Sequence, residues 1–189
     1  PIYIAGAEYE KTKKVFRDAG IEPAGTIEDL LNEVDVIIDA APAKIGAQNK
    51  ALYEKFNKKG IFQGGEKHSL TNFSFNAYAN YELAIGRQFA RVVSCNTTGL
   101  CRTLYPLHKN FQIEHVYATM IRRAADPHET KKGPINAIVP ELEVPSHHGP
   151  DVQSVIPDLP ISTVALEVPT TIMHLHSVIV KFKHKITVD

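Results

Sequence analysis

Residues 26 to 65 alternate helix-type and strand-type patterning at the spacing of βαβ units, and this alternation limits the fold more than any other feature. Thr26 with Asp29 three residues on starts a helix over Leu30-Leu31. Asp35-Val36-Ile37-Ile38-Asp39-Ala40 is a short continuous apolar run followed by turn residues, the pattern of a buried parallel strand. A helix is predicted over residues 47 to 59, closed by Gly60, and Ile61-Phe62-Gln63 then reads as a second strand that ends at Gly64-Gly65. Parallel neighbours need a crossover between them, so this half of the chain is α/β. Before it, residues 9 to 19 read as a short surface helix carrying Val15 and Phe16 and stopped by Gly20.

Residues 80 to 88 are predicted helical, and Ala90-Arg91-Val92-Val93 is predicted as a strand that delivers the chain to Ser94-Cys95-Asn96. From Thr97 or Thr98 a helix runs through Leu100, Cys101, Leu104 and Leu107. Beyond Phe111 the texture changes to longer strand-like stretches over residues 114 to 122, 161 to 168 and 173 to 182, separated by Pro- and His-rich loops that include Gly133-Pro134. This second half reads as α+β, with a domain boundary near Ser94 that divides the chain into residues 1–94 and 95–189.

The balance of 21 basic against 21 acidic residues leaves no broad electrostatic footprint for nucleic acid or an anionic membrane surface. No apolar run reaches the roughly 18 to 20 residues that span a bilayer, and Pro1-Ile2-Tyr3-Ile4-Ala5-Gly6 lacks signal-peptide features, so a cytoplasmic protein is expected. The first residue is not methionine, and both ends fall within patterned sequence, as expected of an internal portion of a longer chain. Two cysteines six residues apart make neither a disulfide framework nor a paired metal-ligand motif.

Cys95 sits where a strand gives way to the helical turn Asn96-Thr97-Thr98-Gly99, where unpaired N–H groups and the helix dipole can favour a thiolate. A buried structural thiol is the alternative for Cys95, and a small core side chain is the reading for Cys101. Nine histidines are available as bases, four of them in the groups His147-His148 and His174-Leu175-His176. On a strand over residues 173 to 182, His174 and His176 share a face with Val178, Val180 and Phe182. Hydrogen-bonded core histidines and a zinc site made from both groups are the rival readings, and no carboxylate-rich motif accompanies either group, so no metal is expected. Arg122-Arg123 ends a strand and points to opposite faces. Arg suits phosphate or carboxylate, although a solvated pair fits equally. Lys131-Lys132-Gly133 reads as a solvated turn.

Several stretches together are more specific: Phe62-Gln63-Gly64-Gly65-Glu66-Lys67-His68, Ser94-Cys95-Asn96-Thr97-Thr98-Gly99-Leu100-Cys101-Arg102, Ile121-Arg122-Arg123-Ala124-Ala125-Asp126-Pro127, Lys132-Gly133-Pro134-Ile135-Asn136-Ala137-Ile138, Pro145-Ser146-His147-His148-Gly149-Pro150-Asp151 and Val168-Pro169-Thr170-Thr171-Ile172-Met173-His174. In order and spacing they resemble the archaeal-type phosphorylating glyceraldehyde-3-phosphate dehydrogenases over essentially the whole chain. The resemblance implies the C-terminal part of a Rossmann-type nucleotide-binding domain, followed by a partial α+β catalytic domain with a mainly antiparallel sheet. It implies Cys95 as nucleophile and His174 as base. It further implies Gly65 and Arg123 against an NAD or NADP cofactor, and Ser94, Asn96, Thr97, Arg122, His147 and His148 in substrate-binding positions. Glyceraldehyde 3-phosphate and inorganic phosphate are the implied substrates and a homotetramer the implied assembly.

The family's opening strand and glycine-rich phosphate turn have no counterpart here, since no G-x-G-x-x-G occurs, and the segment after the catalytic strand is also missing. Asp39-Ala40-Ala41-Pro42-Ala43-Lys44-Ile45-Gly46 stands where relatives often carry adjacent glycines. A cofactor-independent thiol hydrolase or acyltransferase and a piece that keeps only assembly surfaces are the alternative functions.

Overall fold

The computed structural model describes residues 1–6, 8–42, 44–125 and 136–187. The Lys131-Lys132-Gly133 turn, the Gly133-Pro134 loop and the Asp126-Pro127 step lie outside the described residues. In chain order the elements are β1 (Tyr3–Ile4), α1 (Tyr9–Asp18), β2 (Gly25–Thr26), α2 (Ile27–Glu33), β3 (Val36–Asp39), α3 (Ile45–Lys55), β4 (Lys59–Phe62), β5 (Ser74–Phe75), β6 (Phe89–Val92), α4 (Cys95–Phe111), β7 (Ile113–Arg123), β8 (Val139–Pro140), α5 (His148–Gln153), β9 (Ile161–Val168) and β10 (Leu175–Phe182).

The first half is α/β, as the alternation requires. β3, β4, β6 and β5 form a sheet in that order with every pairing parallel, and β1 and β2 form a separate parallel pair. The capping box of α2 forms as read: the Asp29 N–H donates to Thr26 Oγ1 at 3.2 Å, and the Thr26 N–H donates to Asp29 Oδ2 at 2.8 Å. Phe62 of β4 lies fully buried between α2 and α3 with Leu31 and Tyr53, which makes a small core of its own.

Four local expectations shift. β3 is parallel but only half covered, with Val36 and Ile38 exposed, because it is an edge strand and only the face carrying Ile37 packs on the small core. α3 ends at Lys55 rather than at residue 59: Asn57 takes φ 53°, and the amides of Asn57 and Lys58 turn back to the carbonyls of Glu54 and Tyr53. Gly60 belongs to β4 instead, where a Cβ would meet the Phe89 ring at 3.0 Å. Residues 80 to 88 yield only a 3-10 turn over Tyr81–Ala84. There Gly86 takes φ 82°, and the Asn80 side chain is drawn to the Asn76 amide and the Ser74 carbonyl.

The second half is built on a mixed sheet of order β10-β7-β9-β8, in which β10–β7 and β8–β9 are antiparallel and β7–β9 is parallel over eight residue pairs. Val116, Ala118 and Met120 of β7 alternate onto one face, and Leu100, Cys101 and Leu104 of α4, with Val152 of α5, pack against it as the main core. The opposite face carries exposed Tyr117, Val164, Leu175 and Ile179. α4 begins at Cys95, two or three residues earlier than the pattern suggested, and contains Pro106, which has no N–H to return to the preceding turn. β10 begins at Leu175, so the strand does not include His174: Met173 takes φ 70° and breaks the extended run just before it.

Candidate active site

Cys95 is the first residue of α4 and is exposed, whereas Cys101 is fully buried and its thiol is pushed up to about 12 by that burial. The two sulfurs therefore have opposite roles, one presented and one packed. Ser94 caps the helix, its Oγ accepting from the Thr97 N–H at 3.3 Å. Thr97 is fully buried and gives its hydroxyl proton to Asp151 Oδ2 at 2.8 Å, so the 3.0 Å contact between Ser94 Oγ and Thr97 Oγ1 has Ser94 as donor. Every bond of the Thr97 side chain is thus spent on holding the turn that carries Cys95.

Asp151 is itself bonded to Arg91, a buried guanidinium on β6. Arg91 also donates to Ser74 Oγ at 2.7 Å, the Glu66 carbonyl at 3.0 Å and Ser154 Oγ at 3.1 Å. This node joins the parallel sheet, α5 and the start of α4. Neither Arg91 nor Asp151 stood out as functional in the sequence. The available signal was a charged residue in the middle of an apolar strand, which is kept only when paired.

Above the node a cleft of about 590 Å³ opens at the ends of β4 and β6, lined by Gln63, Gly65, Arg91, Ser94, His147 and Asp151 among others. Crevices at the carboxyl ends of parallel strands are where such sheets hold ligands. Gly65 takes φ 93°, which a side chain would strain, so bare backbone faces the cleft. Gly64 beside it is pressed on the preceding loop, where a Cβ would fall 1.7 Å from the Ala41 carbonyl oxygen.

The two histidine groups have different partners. His176 lies on the inner face of β10, and its Nε2 donates to Asn96 Oδ1 at 2.8 Å, next to Cys95 in the chain. Its ring rests on Gly99 in the first turn of α4, and burial lowers its pKa. His174 precedes the strand and accepts the Arg123 N–H at Nδ1 over 3.1 Å. Neutral His174 in this arrangement therefore carries its proton on Nε2.

His147 and His148 stack with ring centroids 3.9 Å apart. His148 is buried and its pKa is lowered to about 4, chiefly by that burial, so it is neutral. Its tautomer follows from its neighbours. Ser146 Oγ donates to Thr163 Oγ1 at 2.9 Å, so the 3.2 Å contact between Ser146 Oγ and His148 Nδ1 must have Nδ1–H as donor. His147 is exposed, with Nδ1 3.2 Å from Glu141 Oε1. Burial opposes the charge on Glu141, yet the His147 hydrogen bond and charge leave its pKa lowered. Arg122 Nη1 stands 3.7 Å from Glu141 Oε2, and Arg122 Nε is buried with no hydrogen-bond partner among the described residues. Arg122, Glu141, His147 and Glu167 line a second cavity of about 350 Å³. Glu141, His147 and His148 bring one donor atom each within 4.8 Å of one another.

Solved structures share this architecture. Aspartate semialdehyde dehydrogenase II from Vibrio cholerae superposes with a TM-score of 0.69 at 13% identity, over 98% of this chain and 75% of that one. Aspartate semialdehyde dehydrogenase from Candida albicans, solved with NADP, gives 0.63 at 14% identity over 82% and 52% of the two chains. At such identities the likeness shows a shared fold and nothing finer. Residues 94–189 match the family described as glyceraldehyde 3-phosphate dehydrogenase, C-terminal domain, and the chain belongs to the glyceraldehyde-3-phosphate dehydrogenase family. Curated relatives of that name include one from Thermococcus kodakarensis, 58% identical over 99% of this chain and 54% of the relative. Another, glyceraldehyde-3-phosphate dehydrogenase 2 from Methanosarcina acetivorans, is 52% identical over 100% of this chain and 55% of the relative. The chain spans about half the length of the curated relatives it matches.

Proposed function

We propose that the protein catalyses the NAD- or NADP-dependent phosphorylating oxidation of glyceraldehyde 3-phosphate to 1,3-bisphosphoglycerate, with Cys95 as nucleophile. The observation that carries this reading is an exposed thiol on the first residue of α4, held by the Ser94, Thr97, Asp151 and Arg91 chain beside a cleft at the carboxyl ends of parallel strands. Cys95 Sγ attacks the aldehyde carbon to form a thiohemiacetal. His174 takes the hydroxyl proton at Nδ1, exchanging the Arg123 N–H for the substrate hydroxyl. Gly65 and Arg123 would hold NAD or NADP, which when bound would supply the hydride acceptor for oxidation to a thioester. The bare backbone at Gly65 and the cleft it lines fit such a group.

Inorganic phosphate then attacks the thioester, the carbon–sulfur bond breaks, and Cys95 leaves as thiolate with the acyl phosphate as product. Ser94 and Asn96 orient the substrate at the helix terminus, with His176 fixing the Asn96 amide and Thr97 acting through the cap it holds. Arg122 and His147 line the phosphate side, with buried His148 stacked behind His147, and the Arg122 Nε, which has no hydrogen-bond partner among the described residues, suits an anion. Residues 1–94 and 95–189 act as cofactor and catalytic domains, with a small core in the first half and a main core drawn mostly from the second. Exposed Tyr117, Val164, Leu175 and Ile179 on one sheet face suit subunit contacts in a cytoplasmic homotetramer serving glycolysis or gluconeogenesis. The test is phosphate-dependent NAD(P)H formation by the full chain, which Cys95→Ser should abolish. Unchanged turnover in that variant would remove Cys95 from the mechanism.

A further inference from the structure

The sequence offered two histidine groups as rival zinc ligands but no carboxylate to accompany them; the fold supplies one from another loop. Glu141 follows β8 and lies against His147, while His174 and His176 are held elsewhere by Arg123 and Asn96. We propose that Glu141, His147 and His148 form a binding site for a zinc-like divalent cation, with Glu141 Oε1, His147 Nδ1 and His148 Nε2 as the protein ligands.

Three observations support the assignment. First, bonds of about 2.0 Å in a tetrahedral site put ligand atoms about 3.3 Å apart. His147 Nδ1 and Glu141 Oε1 stand 3.2 Å apart, and each of the three residues brings a donor atom within 4.8 Å of the others. Second, His148 is in the tautomer a metal requires. Its Nδ1–H is committed to Ser146 Oγ, which leaves the lone pair on Nε2. The relay continues from Ser146 to Thr163 Oγ1, which also receives the Gly149 N–H and donates to the Ser146 carbonyl, so the ring is anchored to β9. Such an outer hydrogen bond orients a ligating imidazole and raises its basicity. Third, Glu141 is divided between two partners: Oε2 faces Arg122 at 3.7 Å, and Oε1 faces His147, where the cation would replace the hydrogen between them. His147 is exposed and lines both cavities, which gives the site an entry path. Two imidazoles and one carboxylate make the donor set of a borderline-soft cation rather than of magnesium or calcium.

Because Glu141 and His147 also line the cavity assigned above to the anionic substrate, a bound cation would compete with it. That consequence rests on the proposed dehydrogenase function; the binding itself does not. The test is titration of the full chain with Co²⁺ followed by visible absorption, in the absence of substrate and cofactor, with Zn²⁺ added afterwards. Cys95→Ser is the reference background, which removes the exposed thiol as a competing ligand. The expected result is a ligand-field band that persists in Cys95→Ser, is displaced by Zn²⁺, and is lost in His147→Ala and in Glu141→Gln. Ser146→Ala, which only frees the His148 ring, should weaken binding by about tenfold. Absence of the band in Cys95→Ser, or its persistence in both His147→Ala and Glu141→Gln, would overturn the proposal. Either failure leaves the turnover test of Cys95 untouched.

Discussion

Arg91 is 6% exposed and its guanidinium is shared among Asp151, Ser74, Ser154 and the Glu66 carbonyl, so Arg91→Met strands a carboxylate in a place built for an ion pair. Removing one partner of a buried pair costs about 3 to 5 kcal/mol. Asp151 keeps the Thr97 hydroxyl and its side chain is 16% exposed, which sets the expected loss near the lower end, about 3 kcal/mol. Asp151→Asn alone leaves the guanidinium with only neutral acceptors and should cost about 2 kcal/mol, the worth of a charged hydrogen bond. In Arg91→Met with Asp151→Asn neither charge remains. The double variant should therefore lose about 3 kcal/mol rather than the sum, a coupling of about 2 kcal/mol. Urea denaturation of the four proteins measures this, provided the slope with denaturant is constant across them. Losses that add within about 0.5 kcal/mol would show that the two charges do not depend on each other and would refute the node.

A thiol reagent should modify one cysteine in the native protein and two in denaturant, with Cys95→Ser abolishing the native signal; mass mapping of a native label to Cys101 would contradict its burial. His148 has a folded pKa of about 4, below its unfolded value of about 6.5. Its contribution to stability is therefore complete above pH 6.5 and is lost as pH falls toward 4. Urea midpoints across that window should show a slope that His148→Asn reduces, and an identical slope in the variant would rule His148 out as its source. Gly64→Ala drives a Cβ to 1.7 Å from the Ala41 carbonyl oxygen, so the loops after β3 and β4 must part. A loss of about 1 to 3 kcal/mol is expected in thermal melts, and a neutral outcome would mean that this contact is loose.

What was legible in the sequence was local. The Thr26-Asp29 capping box, β9 with its bounds and the strand-to-helix step at Cys95 depend on residues a few positions apart. Helix ends were less legible, because they depended on single residues choosing an unusual backbone: Asn57 ended α3 early, and Met173 kept His174 out of β10. The sequence therefore put His174 and His176 on one face, whereas the fold gives them separate partners, Arg123 and Asn96. Least legible were the long-range pairings. Arg91 and Asp151 are 60 positions apart, and the parallel partnership of β7 with β9 is a choice among strands that periodicity cannot rank. Of the Arg122-Arg123 pair, the strand ending was readable, but the Glu141 that faces Arg122 arrives from a different loop.

Pro106 gives α4 two mechanically different halves. At about 1.5 Å per residue, Cys95 stands about 16 Å from it along the axis. The missing hydrogen bond leaves the Arg102 carbonyl without its usual intrahelical donor, so opening that starts at Phe111 meets a natural stopping point before the segment carrying Leu100, Cys101 and Leu104. The end that carries Cys95 is thereby insulated from fraying at the far end. Amide hydrogen exchange should divide there, with slow amides over residues 98 to 104 and faster ones after residue 106.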